Sequence, residues 1–202
     1  MRRPFGMVNA VTKITPKPVA ERLGREEWLA RALTVVARAG GIMPIDLLVK
    51  KLGVTKGSFY WHFKDRKDFV HSLLDYWTRV YTKNVGRDVS QVEGDAGTRL
   101  LALMEVIHKN DWSRHDLALR AWADREPEVA EALGKVYRFR LDYVRSLFSE
   151  MGFEGRDLEM RARTFVIFHS MESSFLIKES EKEEAELLKI RYRMFTAPLD
   201  QP

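Results

Sequence analysis

The chain has 202 residues and contains no cysteine. Disulfide bonds and thiolate metal sites are therefore excluded, and a reducing, cytoplasmic setting is expected. The longest apolar-rich segment, TFVIFHSMESSFLIK, is interrupted by His169, Glu172 and three serines, so we expect a buried helix and no membrane partner. The N-terminal segment lacks an unbroken apolar core and a clear cleavage site, so we expect no signal peptide.

Two further kinds of pattern are missing from the sequence. Strand-type alternation of apolar and polar residues is absent, whereas apolar residues recur at helical spacing. No glycine-rich phosphate loop, Ser/His/Asp arrangement or pair of catalytic carboxylates occurs in a usable context. We therefore expect an all-α protein that is not an enzyme.

Basic residues are concentrated in the first part of the chain. Residues 1–86 contain 16 Lys and Arg against 7 Asp and Glu, a net charge of +9, whereas the remaining residues carry −4. This asymmetry is typical of a nucleic-acid-binding half joined to a neutral or acidic half. A solvated basic face with no partner would produce the same count.

Apolar spacing and capping residues predict four helices before residue 86. They extend from Glu21 or Arg25 to Ala39, from Pro44 to Gly53, from Thr55 to Phe63, and from Asp65 to Val85. A tight turn joins the second helix to the short third one, which is the helix-turn-helix arrangement. Residues 86–97 are polar and glycine-rich and predict a linker. Five helices follow, over Thr98–Lys109, Ser113–Ala123, Pro127–Met151, Arg156–Lys178 and Glu181–Phe195.

The stretch VTKGSFYWHFKDRKDF, residues 54–69, places four aromatic rings and a histidine between basic residues. Phe59 and Phe63 lie four residues apart, so we expect both to face the core and their neighbours to face outwards. The second helix of a helix-turn-helix enters the major groove, and the free N–H groups that open the following helix favour a phosphate. We therefore predict DNA contacts from Thr55, Lys56, Gly57, Ser58, Tyr60, Trp61, His62, Lys64, Arg66 and Lys67.

The same stretch has a second interpretation. Aromatic clusters are usually buried, and these rings would also suit a docking patch on an all-helical protein-interaction module or enzyme. The basic flanks, the tight turn and the net charge favour DNA.

LGVTKGSFYWHFKDRKDF resembles the DNA-binding signature of the TetR family of bacterial transcriptional regulators. The resemblance rests on the LGV turn, the small residues Gly57 and Ser58, the pair Tyr60 and Phe63, and the basic start of the following helix, over about residues 24–80. Val49 departs from it, because the family usually has alanine there. The resemblance implies that Thr55, Lys56, Ser58, Trp61 and His62 contact DNA, with Tyr60 and Arg66 on phosphates.

The resemblance also implies an architecture and partners. A flexible basic arm (1–20) would precede a helix-turn-helix DNA-binding domain (21–86) and a ligand-binding and dimerisation domain (87–202). The protein would be a homodimeric repressor on a pseudo-palindromic operator, released by an unidentified small-molecule effector and needing no cofactor. The last two long helices would pair across a two-fold axis. The expected interface residues are Phe168, Met171, Phe175, Leu188 and Tyr192.

A ligand pocket is a further expectation from the resemblance. An apolar pocket with a few polar groups would be lined by Met104, His108, Trp112, Trp122, Tyr137, Tyr143, Phe165 and His169. Each of these residues would equally suit a plain core. The sequence also clusters His108, Asp111, His115 and Asp116, but NDWS at 110–113 interrupts the helix, so their side chains need not converge and we expect no metal site.

Overall fold

The computed structural model describes residues 23–110, 112–175 and 180–198, with the side chain of Phe175 left out. Within these ranges the chain is helical apart from turns and contains no strand, so the all-α prediction is confirmed. The helices are α1 (Arg25–Ala39), α2 (Ile45–Leu52), α3 (Lys56–His62), α4 (Arg66–Thr78), α5 (Asn84–Ser90), α6 (Ala96–Asn110), α7 (Ser113–Ala123), α8 (Pro127–Glu150), α9 (Gly155–Met171) and α10 (Glu181–Thr196).

Local signals set the ends of the first four helices. Gly40 and Gly53 end α1 and α2 with φ of 66° and 69°, a left-handed conformation that glycine adopts at little cost. The Thr55 hydroxyl accepts from the Ser58 N–H at 3.1 Å and caps α3. The Asp65 carboxylate accepts from the Asp68 N–H at 2.9 Å and caps α4. The short third helix predicted between these caps is therefore present.

The predicted linker over residues 86–97 is wrong in its first half. A π-helical segment, Arg79–Lys83, joins α4 directly to α5, which continues to Ser90. Val85 and Val89 lie four residues apart and are both buried, so this polar-looking stretch has an apolar face that favours a helix. Only residues 91–95 connect α5 to α6.

Other parts of the prediction differ from the structure or lie outside the described residues. Pro44 is the residue before α2 and not part of its first turn. The helix predicted to reach Lys178 ends at Met171 and passes into a short 3-10 turn, Glu172–Phe175. The predicted basic arm, Asp111 and residues 176–179 lie outside the described residues.

Two buried apolar clusters share the long helix α8. The first joins α1–α4 to α7 and to the first half of α8, through Val129, Leu133 and Val136. The second joins α5, α6, α9 and α10 to the second half of α8, through Val144, Leu147 and Phe148. The N-terminal bundle (α1–α4) thus packs directly on the helices that follow it, and its core continues beyond residue 86.

Candidate nucleic-acid interface and buried cavity

The inward face of α3 is fixed by an aromatic cluster. Phe59 and Phe63 are 0% and 1% exposed, respectively, as expected from their spacing. Trp28 of α1 packs edge-on against both, with ring centroids 5.7 and 5.1 Å away, and Phe69 of α4 closes the cluster. Truncating a buried Phe or Trp of this kind costs about 3–5 kcal/mol. The orientation of α3 is therefore strongly determined by its own core.

The outward face of α3 carries large rings that stay exposed among the described residues. Tyr60 is 57% and Trp61 80% exposed. Gly57 is exposed on the same helix, and a Cβ there would make only an ordinary 3.6 Å contact with the Thr55 hydroxyl. The fold therefore does not require glycine at position 57. Lys56 is also exposed and pairs with Asp46 of α2 at 2.6 Å.

His62 differs from the prediction that it faces outwards. Its Nε2 lies 2.9 Å from the carbonyl oxygen of Leu23, and the side chain is half-buried. The reason is helical geometry, because position 62 is three residues after Phe59 and shares its inward side. His62 therefore anchors the chain just before α1 to the end of α3.

The basic start of α4 meets acidic residues at the start of α8. Arg66 lies 3.0 Å from Glu126, and Lys67 lies 3.4 Å from Glu128. His71 is 3.1 Å from the same Glu128 carboxylate. All of these side chains are substantially exposed, so each pair stabilises the fold by at most about 1 kcal/mol. Arg66, predicted to contact a phosphate, and Lys67, predicted to contact DNA, thus lie near carboxylates, while Lys64 is exposed.

A cavity of about 60 Å³ lies among α5–α9 and the π-helical segment. Four of the predicted pocket residues line it: Trp112, Tyr143, Phe165 and His169. The other lining residues, which were not predicted as pocket residues, are Tyr81, Thr82, Val85, Gly86, Leu103, Ile107, Asp116, Phe139, Arg140, Val144, Val166 and Ser170. The π-helical segment is part of the wall, so the cavity touches the continuation of α4.

Four predicted pocket residues lie elsewhere. Met104 is fully buried in the second cluster. His108 faces Glu184 of α10, with 3.6 Å between Nε2 and a carboxylate oxygen. Trp122 lies in the first cluster, where its side chain covers Gly41 in the α1–α2 turn. Tyr137 packs between the two clusters, and burial raises its pKa. Aromatic content alone does not distinguish such core positions from cavity walls.

Arg140, which is half-buried, and Asp116, which is buried, form an ion pair at the cavity wall. Both guanidinium NH groups donate to the carboxylate, the longer bond being 3.2 Å. The Arg140 Nε and Nη2 also donate to the Thr82 hydroxyl of the π-helical segment, at 3.3 and 3.2 Å. Arg140 further stacks over the Trp77 ring. One residue of α8 therefore connects the cavity to the end of α4.

His169 lines the cavity without a hydrogen-bond partner among the described residues. Its side chain is almost fully buried, and its Nδ1 lies 3.7 Å from a Glu172 oxygen, too far for a hydrogen bond. Burial lowers the pKa of His169, and the Glu172 carboxylate only partly offsets this effect. The imidazole is therefore neutral at pH 7 and offers one donor and one acceptor.

The surface of α9 and α10 carries a second unusual feature, an exposed apolar groove. Met160 and Met194 are 61% and 74% exposed and line the groove together with Leu187 and Ile190. Ile167, also on α9, is 64% exposed. Of the predicted interface residues, Phe168 lines this groove and Met171 is exposed. Leu188 and Tyr192 instead pack inwards against the second cluster, and the side chain of Phe175 lies outside the described part.

The exposed apolar residues of α10 lie at positions 187, 190 and 194, and this spacing places them on one face of the helix. Leu188, Tyr192 and Phe195 form the neighbouring inward face. The spacing alone shows both stripes, but not which one faces the core.

No protein-family model matches the chain, and no solved structure matches it. Among residues 23–110, 112–175 and 180–198, no helix is both long and apolar enough to cross a membrane. The same residues contain no group of three His, Asp or Glu side chains placed to hold a metal ion.

Proposed function

We propose that the protein is a sequence-specific, DNA-binding transcriptional regulator of the TetR type. The observation that carries this proposal is the division of α3 into two faces. Phe59 and Phe63 are buried, whereas Tyr60 and Trp61 stay exposed beside basic side chains. Large uncovered rings among lysines suit a surface that a partner completes, and duplex DNA has the matching charge.

In this proposal the exposed face of α3 enters the major groove. Lys56 donates to guanine, Ser58 contacts a base edge, and Trp61 packs against a thymine methyl group. Tyr60 and Lys64 contact phosphates, which position the protein without reading sequence. Gly57 supports the assignment, because a glycine that the fold does not require leaves space for close approach of the DNA backbone.

The proposal includes a homodimer formed through α9 and α10. Their exposed groove is rich in Met, Leu and Ile, and a contiguous patch of this kind is typical of a protein interface. A two-fold pair of these helices would bury the groove on both copies at once. Recognition helices about one duplex turn apart (~34 Å) would then require a pseudo-palindromic operator.

The effector part of the proposal rests on the cavity. A small molecule bound there would contact the π-helical segment that continues α4, and α4 packs against α3. A ligand that fits only one arrangement of these helices would change the DNA affinity of the dimer. We propose repression that the effector releases, in a cytoplasmic protein.

The test is a mobility-shift titration of the full chain on DNA flanking its own gene, at ~50 and ~200 mM salt. Binding should weaken steeply with salt, because phosphate contacts release counterions. Trp61→Ala should lose the preference for one sequence over unrelated DNA, while Arg66→Ala should weaken both equally. Lys135→Ala, an exposed lysine on α8, serves as the charge-matched control and should bind normally.

Two results would count against the proposal. Absence of any protected DNA site, together with protein partners captured only when Tyr60 and Trp61 are intact, would favour a protein-docking patch. A change in sequence preference on Arg66→Ala would show that its role is base reading and not phosphate contact.

A further inference from the structure

The cavity beside α8 has strongly apolar walls and few polar groups. Trp112, Phe165 and Val166 provide ring and aliphatic surface, and His169, Tyr143 and Ser170 provide polar atoms. Its volume of about 60 Å³ is several times the roughly 10–15 Å³ that holds one water. The space therefore suits a small organic molecule better than a single solvent molecule.

The charged groups at the wall are already satisfied by each other. Arg140 uses its guanidinium N–H groups on Asp116, Thr82 and Ser170. Both Asp116 carboxylate oxygens accept from Arg140. Among the described residues that line the cavity, an anionic ligand would find no free cation and a cationic ligand no free carboxylate. Since an unpaired charge is costly to bury, a charged ligand is disfavoured.

At the cavity wall, both ring nitrogens of His169 are buried without a hydrogen-bond partner among the described residues. His169 is 4% exposed and its ring packs against Phe165, with centroids 4.3 Å apart. A buried polar group without a partner destabilises the protein unless something else supplies the hydrogen bond. A ligand hydroxyl or carbonyl in the cavity would do so, because a neutral imidazole donates at one nitrogen and accepts at the other.

We infer that this cavity binds a small, uncharged aromatic or alicyclic compound bearing a hydroxyl or carbonyl group, which hydrogen-bonds to His169. Only the statement that this compound is the effector rests on the proposed function. Binding itself requires no DNA. The ring occupies the apolar walls, and the Arg140–Asp116 pair excludes carboxylates and amines.

Three probes that share one ring and differ in charge test the inference: benzyl alcohol, benzoate and benzylammonium. Isothermal titration calorimetry on the full chain, without DNA, should give saturable binding of benzyl alcohol. Benzoate and benzylammonium should bind at least tenfold more weakly. Equal or tighter binding of either charged probe, or no saturable binding of benzyl alcohol, would overturn the inference.

Substitution of His169 tests the hydrogen bond separately from the apolar walls. His169→Leu should weaken benzyl alcohol at least tenfold and leave toluene binding unchanged, because toluene makes no hydrogen bond. His169→Gln keeps a donor and an acceptor and should retain measurable affinity for the alcohol. Unchanged alcohol binding in His169→Leu would refute the role of His169. Even if a variant fails to fold, the relative affinities of the wild-type protein for the three probes decide the ligand class.

Because these titrations contain no DNA, their result is independent of the mobility shifts. If the protein binds DNA but not benzyl alcohol, this inference is wrong and the proposed function stands. If it binds the alcohol but no DNA, the ligand class stands and the proposed function as a DNA-binding regulator is wrong.

Discussion

Arg66 at the start of α4 and Glu126 just before α8 lie 3.0 Å apart, although 60 residues separate them in sequence. The pair connects the N-terminal bundle to the helices behind it. It also occupies the guanidinium that would contact a phosphate in the proposed complex. DNA and the acidic start of α8 therefore compete for the same cation in the proposed complex.

Glu126→Gln should raise DNA affinity by removing this competitor. The gain should be small, up to about fivefold, because an exposed ion pair is worth less than ~1 kcal/mol. It should shrink as salt screens the charges. Mobility shifts at two salt concentrations measure both effects.

Glu131→Gln is the matched control for this change. Glu131 lies on α8 but pairs with Lys135 on its own helix. Its substitution removes the same charge without freeing a residue of α4. An equal gain in both variants would mean that net charge alone, and not release of Arg66, sets the affinity.

Gly57→Ala should separate stability from function. Alanine is favoured over glycine inside a helix by roughly 0.5–1 kcal/mol, and the added Cβ meets only an ordinary contact. Urea unfolding should therefore show an equal or more stable protein. DNA affinity should fall, since the new methyl group lies on the exposed face of α3.

Gly134→Ala on α8 provides the comparison for Gly57→Ala. An added Cβ there would lie 3.5 Å from the flexible end of Arg138. It should give a similar gain in stability with unchanged DNA binding. If Gly57→Ala also bound DNA normally, close approach at position 57 would be ruled out.

Ile167→Glu on α9 should convert the proposed dimer to monomers. The side chain is 64% exposed within one chain, so the charge should be tolerated by the monomer. In a dimer formed through α9 and α10, this charge would have to be buried in the interface, which is costly. Sedimentation velocity on wild type and variant measures the change.

Leu47→Glu is the control for the dimer test. Leu47 is 44% exposed on α2, away from α9 and α10. The same charge there should leave the sedimentation coefficient unaltered. If the wild-type protein sediments as a monomer at all concentrations, the proposed homodimer is wrong.

Protonation of His169 should make stability fall as the pH drops. Burial lowers the pKa of His169 below its ordinary value of 6.5. Below about pH 6.5 the unfolded chain therefore binds a proton that the folded protein does not, which favours unfolding. The stabilisation that comes from the lowered pKa of His169 is fully present above pH 6.5. It is lost as the pH falls towards the folded-state pKa, by no more than about 1.4 kcal/mol per pH unit.

Urea unfolding at pH 7.5 and 5.5 measures this dependence. His169→Leu should show a smaller difference between the two conditions than wild type. Phe165→Leu disturbs the same wall without a titrating group and should retain the wild-type difference. An unchanged difference in His169→Leu would assign the pH dependence to other groups.

Much of the local structure was predictable from the sequence. The ends of α1 and α2 at Gly40 and Gly53, and the caps at Thr55 and Asp65, depend on residues only a few positions apart. The helix in place of the predicted linker was missed because glycine and polar residues outnumber its buried valines. Only half of the predicted pocket residues line the cavity, since aromatic residues of a cavity wall and of a packed core have the same sequence pattern.

The sequence by itself determined that the chain is all-α, where α3 begins, and that Phe59 and Phe63 face inwards. These features follow from hydrogen bonds and periodicity within one or two helical turns. Only the tertiary structure decided that His62 binds the Leu23 carbonyl, that Arg66 meets Glu126, and which face of α10 is covered. Such pairings join residues tens of positions apart, and helix packing, not neighbours in sequence, selects among many chemically equivalent partners.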